Sequence, residues 1–283
     1  MFSSIIFFDL DNTLIEGPFG TAVFPIVLDE LARKTHGDQK EIRRLIVKEN
    51  LDRQNEPRCS AVKAMDWDDI FAAVANRLGV TIESNAEEIV QAQAEEHSRL
   101  LDGARETLIA LQHPSRALIV ATKGLIKYQR PVLDALGITH LFTEILTPDS
   151  HNALKKDRAF YGEWLGDSSS DFRSLLDFGS LGNSPIIVGD YYVDDVIPPH
   201  QFGMRTVWKN AKIEERLLEI DPLERPQHFE YTDDQHVKPT AIIKSLHELP
   251  DVITQLENRN PSASVQGAFF ATKQSHVATE IAS

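Results

Sequence analysis

The stretch FFDLDNTL poses a chemical question at the start of this 283-residue chain. Four apolar residues, Ile5, Ile6, Phe7 and Phe8, run directly into Asp9 and Asp11, with Thr13 two positions further on. Unpaired buried charge is costly, so a buried strand that ends in two acids needs a cation or another compensating partner. Three later segments carry matching groups. ALIVATKG ends in Thr122, Lys123 and Gly124; Lys155 and Lys156 follow LFTEILTPDS; IIVGDYYVDD supplies Asp190, Asp194 and Asp195. Asp9, Asp11 and Asp190 together would form a hard, oxygen-rich site of the kind that suits Mg2+ and a phosphate oxygen.

The elements that must position these groups can be read from the apolar pattern. Residues 4–8 read as a fully buried strand, being short and bulky at every position. TAVFPIVLDELARKTHG then places Val23, Val27, Leu28 and Leu31 on one helical face and stops at Gly37. Asp38 with Glu41 starts a second helix carrying Ile42, Leu45 and Ile46, and DWDDIFAAVANRLG repeats the pattern up to Gly79. Ser84 with Glu87 is expected to start another helix, running to about Leu100. No strand is evident between Gly17 and Arg99.

Beyond that point strands and helices alternate. A helix is expected in GARETLIALQ, a strand over 117–121, a helix in YQRPVLDALGI and a short strand in LFTEILT. DRAFYGEWL reads as a helix, 166–184 as a Gly/Ser-rich loop, and PIIVGD and RTVW as strands. PTAIIKSLHELPDVITQLEN reads as one amphipathic helix with a break at Pro250. Such alternation implies an α/β fold with a doubly wound, mostly parallel sheet, and ligands in such sheets bind beyond the carboxyl ends of the strands. The expected division is a core over 1–16 and 100–257, an inserted helical cap over 17–99, and a disordered tail over 258–283 in which Phe269 and Phe270 are the apolar exceptions.

Composition narrows the function classes. The chain is 42% hydrophobic and 25% charged, with a formal net charge of −14, a balance that disfavours nucleic acid and anionic lipid as partners. A single cysteine, Cys59, rules out an intrachain disulfide and a cysteine-rich zinc site, and the ten histidines show no paired metal-ligand spacing. No signal peptide or membrane span is read in the opening residues, so a cytoplasmic location is expected. The lid arginines and lysines, such as Arg33, Arg43, Arg44, Arg53 and Lys63, read as its solvated face, with one or two candidates for contact with an anionic substrate.

Taken in order, the four segments resemble the haloacid dehalogenase (HAD) superfamily, specifically its phosphatase branch with a helical cap. DLDNT matches that family's Asp-x-Asp-x-Thr, Thr122 its strand-ending Ser or Thr, Lys155 its helix-leading Lys, and Gly189, Asp190 and Asp195 its Gly-Asp-x-x-x-x-Asp. The resemblance covers roughly residues 4–250. Lys123 stands where the family often has Asn, Lys156 replaces a usual Pro, and the loop at 166–184 is long.

The resemblance implies a Rossmann-like core and a Mg2+-dependent phosphatase acting on a small phosphorylated metabolite. Asp9 would be the nucleophile and Asp11 the acid and base; Thr13, Thr122, Lys123, Gly124 and Lys155 would contact the phosphoryl group. Asp9, Asp190 and Asp11, the last through its backbone carbonyl, would hold the metal, and Asp195, with Asp194 a second candidate, would support it through its waters. Sugar phosphates, phosphoglycolate and nucleoside monophosphates are all compatible substrates. A phosphotransferase or mutase acting on sugar phosphates would share the same core, and a non-catalytic binding protein could share the scaffold. A dehalogenase is disfavoured, because Asp11 stands where such enzymes lack an acid. The sequence leaves the oligomeric state open.

Overall fold

A computed structural model of the chain describes residues 2–166, 184–225 and 237–258. Six strands form one sheet: β1 (Ser4–Phe8), β4 (Arg116–Ala121), β5 (Glu144–Leu146), β6 (Ile186–Gly189), β7 (Arg205–Lys209) and β8 (Ala241–Ile243). Their order is β5-β4-β1-β6-β7-β8, and every neighbouring pair is parallel. The intervening β2 (Ile15–Glu16) and β3 (Arg99–Leu100) form a short antiparallel pair at the two ends of a helical segment.

The central strands show why the sheet is covered on both sides. In β1, Ile6 and Phe8 join one apolar cluster while Ile5 and Phe7 join another; in β4, Leu118 and Val120 part in the same way from Ala117, Ile119 and Ala121. Successive strand residues point to opposite faces, so continuous apolar runs require cover on each. Strand order reverses around β1, and the loops after β1, β4 and β6 therefore diverge at its carboxyl end.

The segment between β2 and β3 is helical among its regular elements: a π-helical turn (Phe19–Val23), then α1 (Phe24–Thr35), α2 (Gln39–Asn55), α3 (Ala61–Met65), α4 (Trp67–Arg77) and α5 (Ala86–His97). Its apolar face, including Val27, Leu31, Ile46, Phe71, Val74 and Val90, is continuous with the cluster on one face of the sheet. Two core helices flank that cluster, α6 (Ala104–Leu111) and α7 (Ile126–Ala135). Polar contacts add to this seam. Lys127 and Tyr128 of α7 reach Asp66 and Asp68 at the start of α4, with both tyrosine hydroxyl contacts at 2.9 Å, and the Phe19 ring meets Tyr128 edge-on at 5.3 Å.

Four local expectations need correction. The segment expected as one amphipathic helix near the end begins as β8, because three consecutive buried residues, Ala241 to Ile243, pair with Val207, Trp208 and Lys209. The helix proper is Leu249–Asn258, and Pro250 lies in its first turn, where a missing N–H is tolerated. Arg158–Leu165 is a 3-10 helix broken at Gly162, whose φ of 50° interrupts it. The last helix of the inserted segment is capped by Asn85 rather than Ser84, and Ser84 turns to Glu30 instead. That helix also ends at His97, which frees Arg99 and Leu100 to pair with β2. Most of the loop expected over 166–184, and the tail from 259 on, lie outside the described residues. Among the described residues, no helix is long and apolar enough to cross a membrane.

Candidate active site

Asp9 and Asp11 are two residues apart, yet they occupy different backbone settings. Asp9 still belongs to the sheet edge, its N–H donating to Val188 O at 2.9 Å. The chain then turns sharply: the N–H groups of Thr13, Leu14 and Ile15 all converge on Leu10 O, and Asn12 has φ of 62°. Asparagine tolerates this left-handed conformation better than most residues. Asp9 is therefore nearly buried, while Asp11 sits on the turn with much of its residue surface open.

Lys155 ties the site together. Its Nζ lies 2.6 Å from Asp9 Oδ1 and 2.6 Å from Asp195 Oδ1, and the side chain is buried. Burial alone would push this ammonium toward neutrality, but Asp195 and Asp9 outweigh it and raise its pKa. Asp195 is pushed up by burial and by Asp9, against the pull of Lys155. Its Oδ2 accepts the Tyr191 N–H at 2.9 Å. Gly189 makes this placement possible, because a β-carbon there would fall 2.2 Å from Asp195 Cγ.

Asp190 enters from the other side. Thr13 Oγ1 lies 3.3 Å from Asp9 Oδ2 and 3.2 Å from Asp190 Oδ1, so one hydroxyl bridges the two carboxylates. Burial, and next the charge of Asp9, raise the pKa of Asp190. Trp208 Nε1 donates to the backbone carbonyl of Asp190 at 2.9 Å and anchors the turn. Carboxylate oxygens of Asp9, Asp190 and Asp195 lie within 4.8 Å of one another.

The remaining predicted residues separate into two groups. Thr122 is buried at the end of β4, its N–H donating to Leu146 O, and its Oγ1 faces the Gly124 N–H at 3.4 Å. Lys123 turns away to Asp194 at 2.7 Å, so Asp194 is committed to that lysine while Asp195 joins the cluster. Lys156 points outward to Gln54 O at 3.0 Å, leaving Lys155 as the lysine inside the site. Of the lid cations, Arg53 is held by Glu49 and Asp69, and Arg43 lies over the Phe24 ring. Sequence reasoning missed Gln129, whose Nε2 lies 3.3 Å from Asp11 Oδ2. The signal was a polar residue on the apolar face of α7, in register with Val132 and Leu133.

The acids outnumber their balancing charge. Asp11 has a pKa pushed up to about 6, first by the protein packed around its carboxyl and then by Asp9 and Asp190, with Gln129 and Lys155 pulling it down. Oxygen donors in excess of local positive charge fit a hard divalent cation such as Mg2+, which retains waters and takes substrate oxygens. Among the described residues the clustered donors are Asp9, Asp190 and Asp195, and the Asp11 side chain is not among them.

Known proteins resemble the chain in both sequence and fold. A phosphoglycolate phosphatase from Haemophilus influenzae (strain 86-028NP) is 32% identical over 110 residues, covering 39% of this chain and 44% of that protein. The chain thus matches less than half the length of that curated relative. The HAD phosphatase from Thermococcus onnurineus superposes with a TM-score of 0.61 at 22% identity, covering 88% of this chain and 97% of that one. The L-2-haloacid dehalogenase from Xanthobacter autotrophicus does so with a TM-score of 0.53 at 17% identity, covering 90% and 99%. Structures this distant share the fold, and two different names on one fold leave activity to be argued from the site. The model of the haloacid dehalogenase-like hydrolases matches residues 4–165, more than half of the sequence, and the chain belongs to that family.

Proposed function

We propose that the protein is a Mg2+-dependent phosphatase that hydrolyses a small phosphomonoester through an aspartyl-phosphate. The observation that carries this reading is the pairing of Asp9, held at 2.6 Å by Lys155 and clustered with Asp190 and Asp195, with a second acid, Asp11, whose side chain stands outside that cluster. Mg2+ held by Asp9, Asp190 and Asp195 would offset phosphate charge and polarise the phosphoryl group.

The chain's own groups then divide the work. Asp9 attacks phosphorus in line, forming the P–O bond of an acyl phosphate as the ester P–O bond breaks. Asp11 gives its proton to the departing oxygen, so the alcohol leaves neutral. It then takes a proton from the water that attacks the acyl phosphate, releasing inorganic phosphate and restoring Asp9. Lys155 pairs with Asp9 at 2.6 Å and faces the charge that builds on the phosphoryl oxygens. Thr122 offers a hydroxyl donor to one of those oxygens. The helical segment over 17–99 acts as a cap that limits water and selects the leaving group.

Phosphate release from a panel of phosphomonoesters tests this reading, with Mg2+ and with chelator, in the wild type and in Asp9→Asn. The name of the curated relative puts phosphoglycolate in that panel beside sugar phosphates and nucleoside monophosphates. Turnover is expected to need both Mg2+ and Asp9, with a loss of at least about 10⁴-fold in the variant. Chloride release from a 2-haloacid without metal, or phosphoryl transfer to an added sugar in place of release, would overturn it.

A further inference from the structure

Two neighbours flank the Asp11 carboxyl. On one side Gly17 lies against its carboxyl, and a β-carbon at that position would approach Asp11 Oδ1 to 3.0 Å. On the other, Gln129 Nε2 stands 3.3 Å from Oδ2. Gln129 belongs to the first turn of α7, donates its own N–H to Leu125 O and is only 5% exposed, so packing fixes its side chain. The amide reaches Asp11 by crossing directly over Gly124, where an added β-carbon would lie 2.1 Å from Nε2 and 2.9 Å from Cδ. Two otherwise unrelated features, the glycine after Lys123 and a buried polar residue on an apolar helix face, therefore serve the same contact.

We propose that Gln129 is a positioning residue for proton transfer to the leaving group: its amide fixes the direction in which Asp11 addresses the departing oxygen, and Gly124 leaves the path for it. The inference rests on the phosphatase reading of the site. The Gln129 side-chain hydrogen bond goes to Asp11 rather than to any of the three clustered carboxylates, so it would act on the reaction through Asp11. A misplaced general acid matters only where the leaving oxygen needs a proton. Alkoxides are poor leaving groups and require it; a dinitrophenolate departs without it. Gln129 is only 5% exposed, and KM for either ester should change little.

The test compares kcat/KM for 2,4-dinitrophenyl phosphate and for a simple alkyl phosphate, with Mg2+ present. This ratio reports steps up to leaving-group departure and is blind to later breakdown of the acyl phosphate. The test variant is Gln129→Met, which keeps length and removes the donor. Asp11→Asn serves as the reference for a lost acid. Gln129→Met is expected to lose about 10–100-fold on the alkyl ester and less than about 3-fold on the dinitrophenyl ester. Retained activity on the activated ester also shows that each variant is folded.

Equal losses on the two esters in Gln129→Met, or no loss on either, would overturn the assignment and leave Gln129 a packing residue. If the wild type hydrolyses neither ester, the phosphatase reading fails first and this inference falls with it. If the wild type is active and only the leaving-group pattern is absent, the phosphatase reading stands and the Gln129 role alone is rejected.

Discussion

Glu30 in the inserted helices and Asp9 at the sheet edge are carboxylates of similar burial, 6% and 9% exposed, in opposite electrostatic situations. Glu30 is saturated. Its oxygens accept the N–H groups of Glu83 at 2.7 Å and Ser84 at 2.9 Å, the Ser84 hydroxyl, and Lys34 Nζ at 2.7 Å. Burial pushes its pKa up, but Lys34, Ser84 and the two backbone donors outweigh that and hold it at about 2. Around Asp9, by contrast, three carboxylates share the ammonium of Lys155 and the hydroxyl of Thr13, and the pKa values of Asp190 and Asp195 are lifted. A structural carboxylate is completed by the fold itself. The acids of the site are left incomplete, and that shortfall in positive charge is what a cation and its phosphate would fill.

The largest stability effect should come from removing the ammonium that pairs with Asp9 and Asp195. Lys155→Met leaves Asp9 and Asp195 buried beside an apolar chain, and a loss of about 3–5 kcal/mol in urea unfolding is expected. A loss below about 1 kcal/mol would mean that water, rather than Lys155, compensates these acids.

Glu30→Gln comes next. The amide keeps the shape but turns a donor toward groups that already donate, and Lys34 loses its buried partner. A loss on the order of 2–3 kcal/mol is expected at neutral pH, with the activity of the folded fraction unchanged. The pH dependence has a definite sign. The folded pKa of Glu30 lies below its ordinary 4.5, so its contribution is full above that value and disappears as pH falls toward 2. The gap between wild type and Glu30→Gln in urea midpoint should therefore close between about pH 4.5 and about pH 2. A gap that is constant over this range would contradict the saturated arrangement.

How much of this contrast could be read from the sequence follows from where the interactions lie in the chain. The strand ending in Asp9 and Asp11 was legible because a short apolar run cannot end in two acids without consequence, and the acids at 190 and 195 repeated the signal. The central strands were legible for the same reason: bulky residues at every position allow little but a sheet covered on both faces. Glu30 was not legible. Ser84 looked like a helix cap in its local context, and only a contact 54 residues away in sequence draws it to Glu30 while Asn85 takes over the cap. β8 was hidden by helical periodicity that continues through its three residues, and its pairing with β7 decides the matter. Gln129 was missed because amphipathic patterning treats a polar residue on an apolar face as an exception. The general limit is physical: spacing along the chain reports local structure and clustered charge, whereas a single long-range partner leaves no mark on either.

The smallest stability effect, and the most direct test of the comparison, belongs to Asp190→Asn. Removing one carboxylate from a cluster with too many should change the stability of the metal-free protein by less than about 1 kcal/mol, in either direction. The decisive measurement is calorimetric titration of Mg2+ into wild type, Asp190→Asn and Glu30→Gln at one pH and ionic strength. The wild type should bind one Mg2+, Glu30→Gln should bind it equally well, and Asp190→Asn should bind at least about 10-fold more weakly. Absence of binding in the wild type, or binding unaffected by Asp190→Asn, would contradict the claim that the acids at the carboxyl end of β1 are left incomplete for a cation.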